Sequence, residues 1–106
     1  GSTKANMHTF QLSAEDWGVQ NDGAYGTAVQ VASLLPGQPP GTNFRNPWDR
    51  TIGSGNSWVA APYAVPFVTG STKMGITAYG DSLSQKYQVG GHGKTGDLLL
   101  VLSSGQ

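Results

Sequence analysis

The 106-residue sequence contains no cysteine, few charged residues and no long hydrophobic run. The absence of cysteine excludes disulfides, thiolate chemistry and cysteine-based zinc sites. Six Lys and Arg residues balance six Asp and Glu residues, so no excess of positive charge favours nucleic acid or an anionic membrane surface. The apolar runs are far shorter than the roughly 20 residues that span a bilayer, and no segment is typical of a signal peptide. We therefore expect no nucleic-acid partner and no membrane insertion.

Metal ligands are also scarce. His8 and His92 are the two imidazoles of the chain, and they form no His-x-x-x-His motif. The aspartates do not follow the spacing of a calcium-binding loop. We expect neither a metal nor a cofactor.

Uncharged polar residues are abundant instead. The chain has 10 Ser, 9 Thr, 5 Asn and 7 Gln, which is 31 residues against 12 charged ones, and it also has 16 Gly. An ordinary soluble domain is about 25% charged. This composition is typical of a β-rich domain with many turns, and of a module whose surface is partly covered by neighbours in a larger assembly.

The domain boundaries follow from the first residues and the length. Gly1 and Ser2 are typical of residues left by cloning, and residues 3–6 are predicted to be linker. Residues 7–106 are long enough for a single domain. We expect one β-rich domain, 7–106, excised from a larger protein.

The apolar patterns predict a mainly β fold, a small antiparallel sandwich or barrel of about six short strands. Pro62 and Pro66 interrupt one strand and make it an edge strand or a bulged one. The last strand is the most hydrophobic run and is predicted to be central and buried. Strands are predicted at residues 58–68, 74–79, 86–89 and 98–102, and residues 7–12 have a mixed pattern with Phe10 and Leu12 on one strand face.

Residues 24–35 fit two structures. Apolar positions recur at helical spacing, which predicts a possible short helix after Asp22. The β-branched residues Thr27, Val29 and Val31 alternate as in a strand and tip the prediction slightly that way.

The sequence predicts a loop of about 20 residues, 36–55. A loop of this length is unusual in so small a domain and is more often functional than a simple connection. Sugars are bound by an aromatic face together with planar polar groups that contact hydroxyls, and arginine adds bidentate contacts to acidic sugars. The alternative is that the tryptophans are core residues. The candidate ligand-binding residues are Asn46, Trp48, Asp49, Arg50, Trp58 and Tyr63.

Residues 80–84 read Gly-Asp-Ser-Leu-Ser and resemble the nucleophile block of the GDSL esterases. The resemblance implies Ser82 as the nucleophile. That family places its histidine in a downstream Asp-x-x-His block after an α/β core, whereas here 22 residues follow Ser84 and contain His92 before Asp97. The other interpretation is a turn, since Asp and Ser favour turns. We expect no catalytic site, with Ser82 as a weak candidate.

In composition the whole chain resembles the receptor-binding tips of phage tail fibres or pilus adhesins, although no specific motif carries this resemblance. It implies a non-enzymatic module that binds a cell-surface glycan or polysaccharide, at an extracellular or virion surface. Such tips are commonly trimeric, so copies of the chain are expected partners. The alternatives are a structural, self-assembling fibre or capsid domain and a fragment of a GDSL-like esterase.

Overall fold

The computed structural model describes residues 2–105 and contains two helices and four strands. In chain order the elements are α1 (Thr3–Gln20), α2 (Ala28–Ala32), β1 (Trp58–Ala60), β2 (Thr77–Ser82), β3 (Lys86–Gly91) and β4 (Leu102–Ser103). The strands form one open sheet in the order β1-β2-β3-β4. The β1–β2 pair is parallel, and the other two pairs are antiparallel.

Helix α1 begins after an N-capping serine and packs one narrow face of buried residues against the sheet. The Ser2 side chain accepts a hydrogen bond from Ala5 N at 3.1 Å and so caps the first turn. The buried positions follow a spacing of three or four residues, which is the spacing of one helix face. They are Thr3, Met7, Phe10, Ala14 and Gly18, with Ser13 beside them.

The main core is aromatic and lies between α1 and the sheet. Phe10 is fully buried. Its ring centroid lies 5.9 Å from that of Phe44, 6.2 Å from that of Trp58 and 5.3 Å from that of Tyr79. Burying one such ring contributes about 1.5–3 kcal/mol to folding. The phenol of Tyr79 is satisfied because it donates to Gly26 O at 2.7 Å.

The opposite face of the sheet is covered by chain without regular structure. Ala61 and Phe67 pack on Ala78 there. The covering chain approaches closely because the sheet presents glycines: a Cβ on Gly80 would overlap Ala61 O, and one on Gly90 would lie 2.7 Å from Phe67 Cε2. The domain therefore has three layers, of helix, sheet and loop.

The prediction of a six-strand sandwich or barrel is wrong, because the chain forms a small α/β fold with one 18-residue helix and a single open sheet. The predicted strand at residues 7–12 lies inside α1. The helix was hard to recognise because its buried stripe includes Ser13 and Gly18, while its exposed face carries Leu12 and Val19. The residues 3–6 that the composition predicts to be linker form the first turn of α1; Gly1 lies outside the described residues.

The predicted central strand at residues 98–102 is also wrong. In the structure Leu102 begins the edge strand β4, and Leu99 is fully exposed. Of the predicted strand at 58–68, the three residues of β1 form strand structure. Pro62 and Pro66 lie outside the sheet because proline has no backbone N–H to donate to a neighbouring strand. Strand β2 begins at Thr77 and extends three residues beyond the predicted 74–79, and β3 extends two beyond 86–89.

Within residues 24–35 the strand preference is wrong, because the chain forms α2. A capping box explains the start of this helix: Gln30 N donates to Thr27 Oγ1 at 3.3 Å, and Thr27 N donates to Gln30 Oε1 at 2.9 Å. Val31 is fully buried against the core, so packing overrides the β-branched pattern.

A strained hairpin turn joins β2 to β3. Gln85 N donates to Ser82 O at 3.0 Å, and the two central residues, Leu83 and Ser84, have φ values of 52° and 61°. Such a turn favours Asn-Gly, because other side chains in the left-handed region cost about 1–2 kcal/mol each. Leu83 is also highly exposed, so its side chain gains no packing in return.

Replacing the turn residues by Leu83→Asn/Ser84→Gly is therefore expected to raise the free energy of unfolding by about 1–2 kcal/mol. Urea denaturation measures the change. Gln85→Gly is the matched control, because Gln85 does not have a positive φ and glycine there should lower stability by about 0.5–1 kcal/mol. Equal effects of the two changes would contradict the assignment of strain to this turn.

Candidate functional site

The segment that carries the predicted sugar contacts is a compact turn built around one buried amide. Asn46 is fully buried. Its Nδ2 donates to Asn56 O and to Met74 O, each at 2.9 Å, and its Oδ1 accepts from Trp48 N at 2.8 Å. Because the amide of Asn46 is used entirely within the protein, its role is to position the neighbouring residues.

The backbone closes the same turn. Asn46 N donates to Thr51 O at 2.8 Å, and Arg50 N donates to Asn46 O at 2.9 Å. Arg50 adopts a φ of 66° to make this closure, and its exposed side chain extends from the turn. The turn 46–51 is therefore fixed at both ends.

A carboxylate fastens the outer side of the turn. Asp49 Oδ1 accepts from Thr51 Oγ1 at 2.7 Å and from Thr51 N at 3.0 Å, and its Oδ2 lies 2.9 Å from Lys73 Nζ. The hydrogen bonds from Thr51 and Lys73 lower the pKa of Asp49 to about 2. Asp49 is thus ionised at neutral pH, and its carboxylate is already engaged by the protein.

Trp48 is the predicted aromatic contact that this turn presents to solvent. Its side chain remains 54% exposed although its backbone is held by Asn46. The indole rests against Gly75, where a Cβ would lie 2.5 Å from Trp48 Cδ1 and would overlap Asn46 Oδ1. Gly75 also has a φ of 85°, so this position requires glycine on both grounds. The ring is therefore rigidly supported and still accessible.

Trp48 lines a groove at the end of the sheet where α1 begins and β3 ends. The groove has a volume of about 490 Å³ and is mainly apolar. We call it the Trp48 groove; it is lined by Ser2, Thr3, Lys4, Pro47, Trp48, Gly93, Lys94 and Leu98.

Trp58 and Tyr63 do not join this groove. Trp58 is a core residue in contact with Phe10. Tyr63 lies on the other face of the sheet, with Lys86 Nζ 4.8 Å from its ring centroid. The predicted site therefore divides into the turn 46–51, one core tryptophan and one tyrosine near the β2–β3 hairpin.

Trp48 is the one lining residue among the sequence-predicted contacts, and the other seven, four of which have larger side chains, were not predicted. Lys4 falls in the predicted linker. Lys94 falls in the glycine-rich segment 90–96, whose composition is typical of a solvated turn. Pro47 falls in the predicted loop 36–55, and Leu98 falls in the predicted strand 98–102. They come together only because α1 and the end of β3 lie beside the turn, and no local pattern encodes that contact.

Ser82 is far from the histidine that a serine esterase would need. His92 N donates to Ile76 O, so His92 lies opposite a residue six positions before Ser82. At about 3.4 Å per residue, the two side chains are about 20 Å apart along the strands. Ser82 is the last residue of β2 and begins the hairpin turn, so the chain's own His92 cannot activate it.

His92 belongs instead to a small polar cluster. Its Nδ1 lies 2.7 Å from Asp97 Oδ1, which also accepts from Thr69 Oγ1 at 2.6 Å. Burial alone would raise the pKa of Asp97, but hydrogen bonds from Thr69 and His92 outweigh it and lower that pKa. These hydrogen bonds connect Thr69, in the irregular segment that covers the sheet, to the turn that follows β3.

Among residues 2–105, no three His, Asp or Glu side chains come together as a metal site. Neither described helix is long and apolar enough to cross a membrane.

Comparisons with protein-family models, with curated proteins and with solved structures find no match to this chain. The geometry of the turn 46–51 and of the Trp48 groove is therefore what indicates a function.

Asn46→Ala is expected to lower the free energy of unfolding by about 2–3 kcal/mol, because it leaves the carbonyls of Asn56 and Met74 and the Trp48 amide without their partner. Urea denaturation followed by tryptophan fluorescence measures this loss. Asn43→Ala is the matched control, since Asn43 is exposed in the same loop and should change stability little. Equal stability of the two variants would contradict the positioning role of Asn46.

Proposed function

We propose that this chain is a carbohydrate-recognising module and that the Trp48 groove is its binding site. The observation that carries the proposal is an accessible indole held rigidly in a concave, mainly apolar groove. An aromatic face of this kind stacks on the C–H side of a sugar ring, and ammonium and hydroxyl groups beside it donate to sugar oxygens.

The rigidity of the support favours a ligand-binding role. A buried amide, a conformationally special glycine and an ion pair all hold the turn that exposes Trp48. A tryptophan needed only for stability would gain more by burial, as Trp58 does. A fixed ring loses little conformational entropy when a ligand binds, which is what recognition requires.

The expected setting is an extracellular or virion-associated assembly such as a tail fibre or adhesin tip. This part of the proposal rests on the low charge and the abundance of hydroxyl and amide residues. A single open groove binds a sugar weakly, so several copies would raise the avidity through effective concentration.

A glycan and lipopolysaccharide array probed with the labelled protein tests the proposal. We expect reproducible binding to a set of glycans, and at least about a fivefold loss in Trp48→Ala, because stacking on an aromatic ring contributes about 1 kcal/mol or more. Tyr63→Ala is the matched control: it removes an aromatic ring on the other face of the sheet and should keep the binding.

Two results would overturn the proposal. One is an array without hits from folded protein in its natural oligomeric state. The other is binding that Tyr63→Ala abolishes and Trp48→Ala preserves, since the site would then lie beside Lys86 on the opposite face.

Self-assembly is a second candidate function, favoured by the apolar surface beside an open sheet edge. Leu99 is fully exposed and Leu100 is 36% exposed immediately before the edge strand β4. Exposed leucines beside the last strand of an open sheet mark a contact surface. We propose that copies of the chain cover this edge, in a trimer as the resemblance to fibre and adhesin tips implies.

Light scattering across a range of protein concentrations tests self-assembly. The trimer is expected to dissociate at least tenfold more readily in Leu99→Ser, whereas Leu83→Ser, which removes an exposed leucine at the hairpin, should leave it intact. A protein that stays monomeric at every concentration would exclude this candidate.

A further inference from the structure

We infer that the Trp48 groove selects saccharides that carry a negative charge, in the form of a carboxylate or a sulfate. This inference rests on the proposed carbohydrate-binding function and names its ligand class. Two of the groove's lining side chains are cationic, Lys4 and Lys94, and none is acidic. Within residues 2–105 neither lysine forms an ion pair, so both ammonium groups are available to a ligand.

The surroundings of the groove are cationic as well. Asn6 Nδ2 donates to Arg45 O at 2.8 Å, which places Arg45 beside the first turns of α1. Arg45 Nη1 in turn donates to Arg50 O at 3.2 Å. Five of the six Lys and Arg residues of the chain therefore lie at this end of the molecule: Lys4, Arg45, Arg50, Lys73 and Lys94.

Both carboxylates at this end are engaged by the protein. Asp49 contacts Lys73 at 2.9 Å, and Asp97 contacts His92 at 2.7 Å. Neither lines the groove. The field at the groove is consequently positive although the net charge of the chain is zero.

The remaining acidic residues lie toward the hairpin end. Tyr87 Oη donates to Glu15 at 2.6 Å, and Asp81 is the strand partner of Tyr87. Tyr25, which follows α1, donates its backbone N–H to Ser84 O at 2.8 Å and so brings the end of the helix to the hairpin. Four of the six acids belong to this region, namely Glu15, Asp16, Asp22 and Asp81.

This separation of charge gives the groove a specific preference. Five cations and two acids surround the groove, whereas one cation, Lys86, and four acids lie toward the hairpin. A saccharide stacked on Trp48 places its ring substituents within reach of the lysines that line the same groove. An anionic substituent accepts hydrogen bonds in which both partners are charged, whereas a neutral hydroxyl accepts weaker hydrogen bonds from the same ammonium groups.

Two matched pairs of probes test the inference by titration calorimetry at low and high salt. One pair is trigalacturonate and its methyl ester, which differ in the charge of the carboxylate. The other pair is an oligomer of dextran sulfate and the same oligomer of dextran. We expect at least fivefold tighter binding of the charged member of one or both pairs, with the difference reduced by salt.

Variants of single lysines test whether the preference for the charged probe arises in the groove. Lys94→Gln and Lys4→Gln should each weaken binding of the charged probe about two- to fivefold and leave binding of the neutral probe nearly unchanged, because glutamine keeps a hydrogen-bond donor. Lys86→Gln removes the cation at the hairpin end and is the matched control, which should bind both probes as the unmodified protein does. Because all three lysines are exposed, none of the changes should affect folding.

The outcomes separate this inference from the proposed function. A preference for one pair identifies the carboxylate or the sulfate as the recognised group. Equal binding of charged and neutral members contradicts the inference and leaves the carbohydrate site standing, whereas failure of every saccharide on the array contradicts both. If Lys94→Gln changes the oligomeric state and not saccharide binding, the groove receives the acidic end of a second copy, which also contradicts the inference.

Discussion

The buried amide of Asn46 is the interaction on which the exposed site depends. It bonds to the carbonyl of Asn56, just before β1, and to that of Met74, just before β2. Because β1 and β2 are parallel, their first residues lie at the same end of the sheet, and one side chain can reach both. The turn 46–51 is therefore attached to the edge of a rigid sheet, and Trp48 keeps its orientation without being buried.

The order of the helices and strands brings the other parts of the site to the same end of the sheet. Helix α1 begins there, since Thr3 and Met7 contact Gly91 at the end of β3. The turn after β3 brings Lys94 into the lining of the groove. A balanced set of charges is thus divided between two ends, with most cations near the indole and most acids near the hairpin. Composition alone shows only the balance.

Part of this arrangement was accessible from the sequence. The length of the loop 36–55 and its polar and aromatic residues predict a functional segment, and this stays a prediction; what the structure adds is that Trp48 is exposed there. The helix was not recognised, because Ser13 and Gly18 interrupt its apolar stripe. The run 98–102 was mistaken for a buried strand, since local hydrophobicity cannot reveal that Leu99 faces solvent. Lys4 and Lys94 were missed because only the tertiary fold brings them to Trp48.

The central claim is that Trp48 contacts the saccharide, and the indole N–H resonances test it most directly. The chain has three tryptophans, which give three such signals in a proton–nitrogen correlation spectrum, assigned by single Trp→Phe variants. During titration with trigalacturonate or the dextran sulfate oligomer, the account predicts that the Trp48 signal shifts progressively to saturation, while those of Trp17 and the core residue Trp58 stay in place. A stationary Trp48 signal with either probe, in a sample that binds it by calorimetry, would contradict the account.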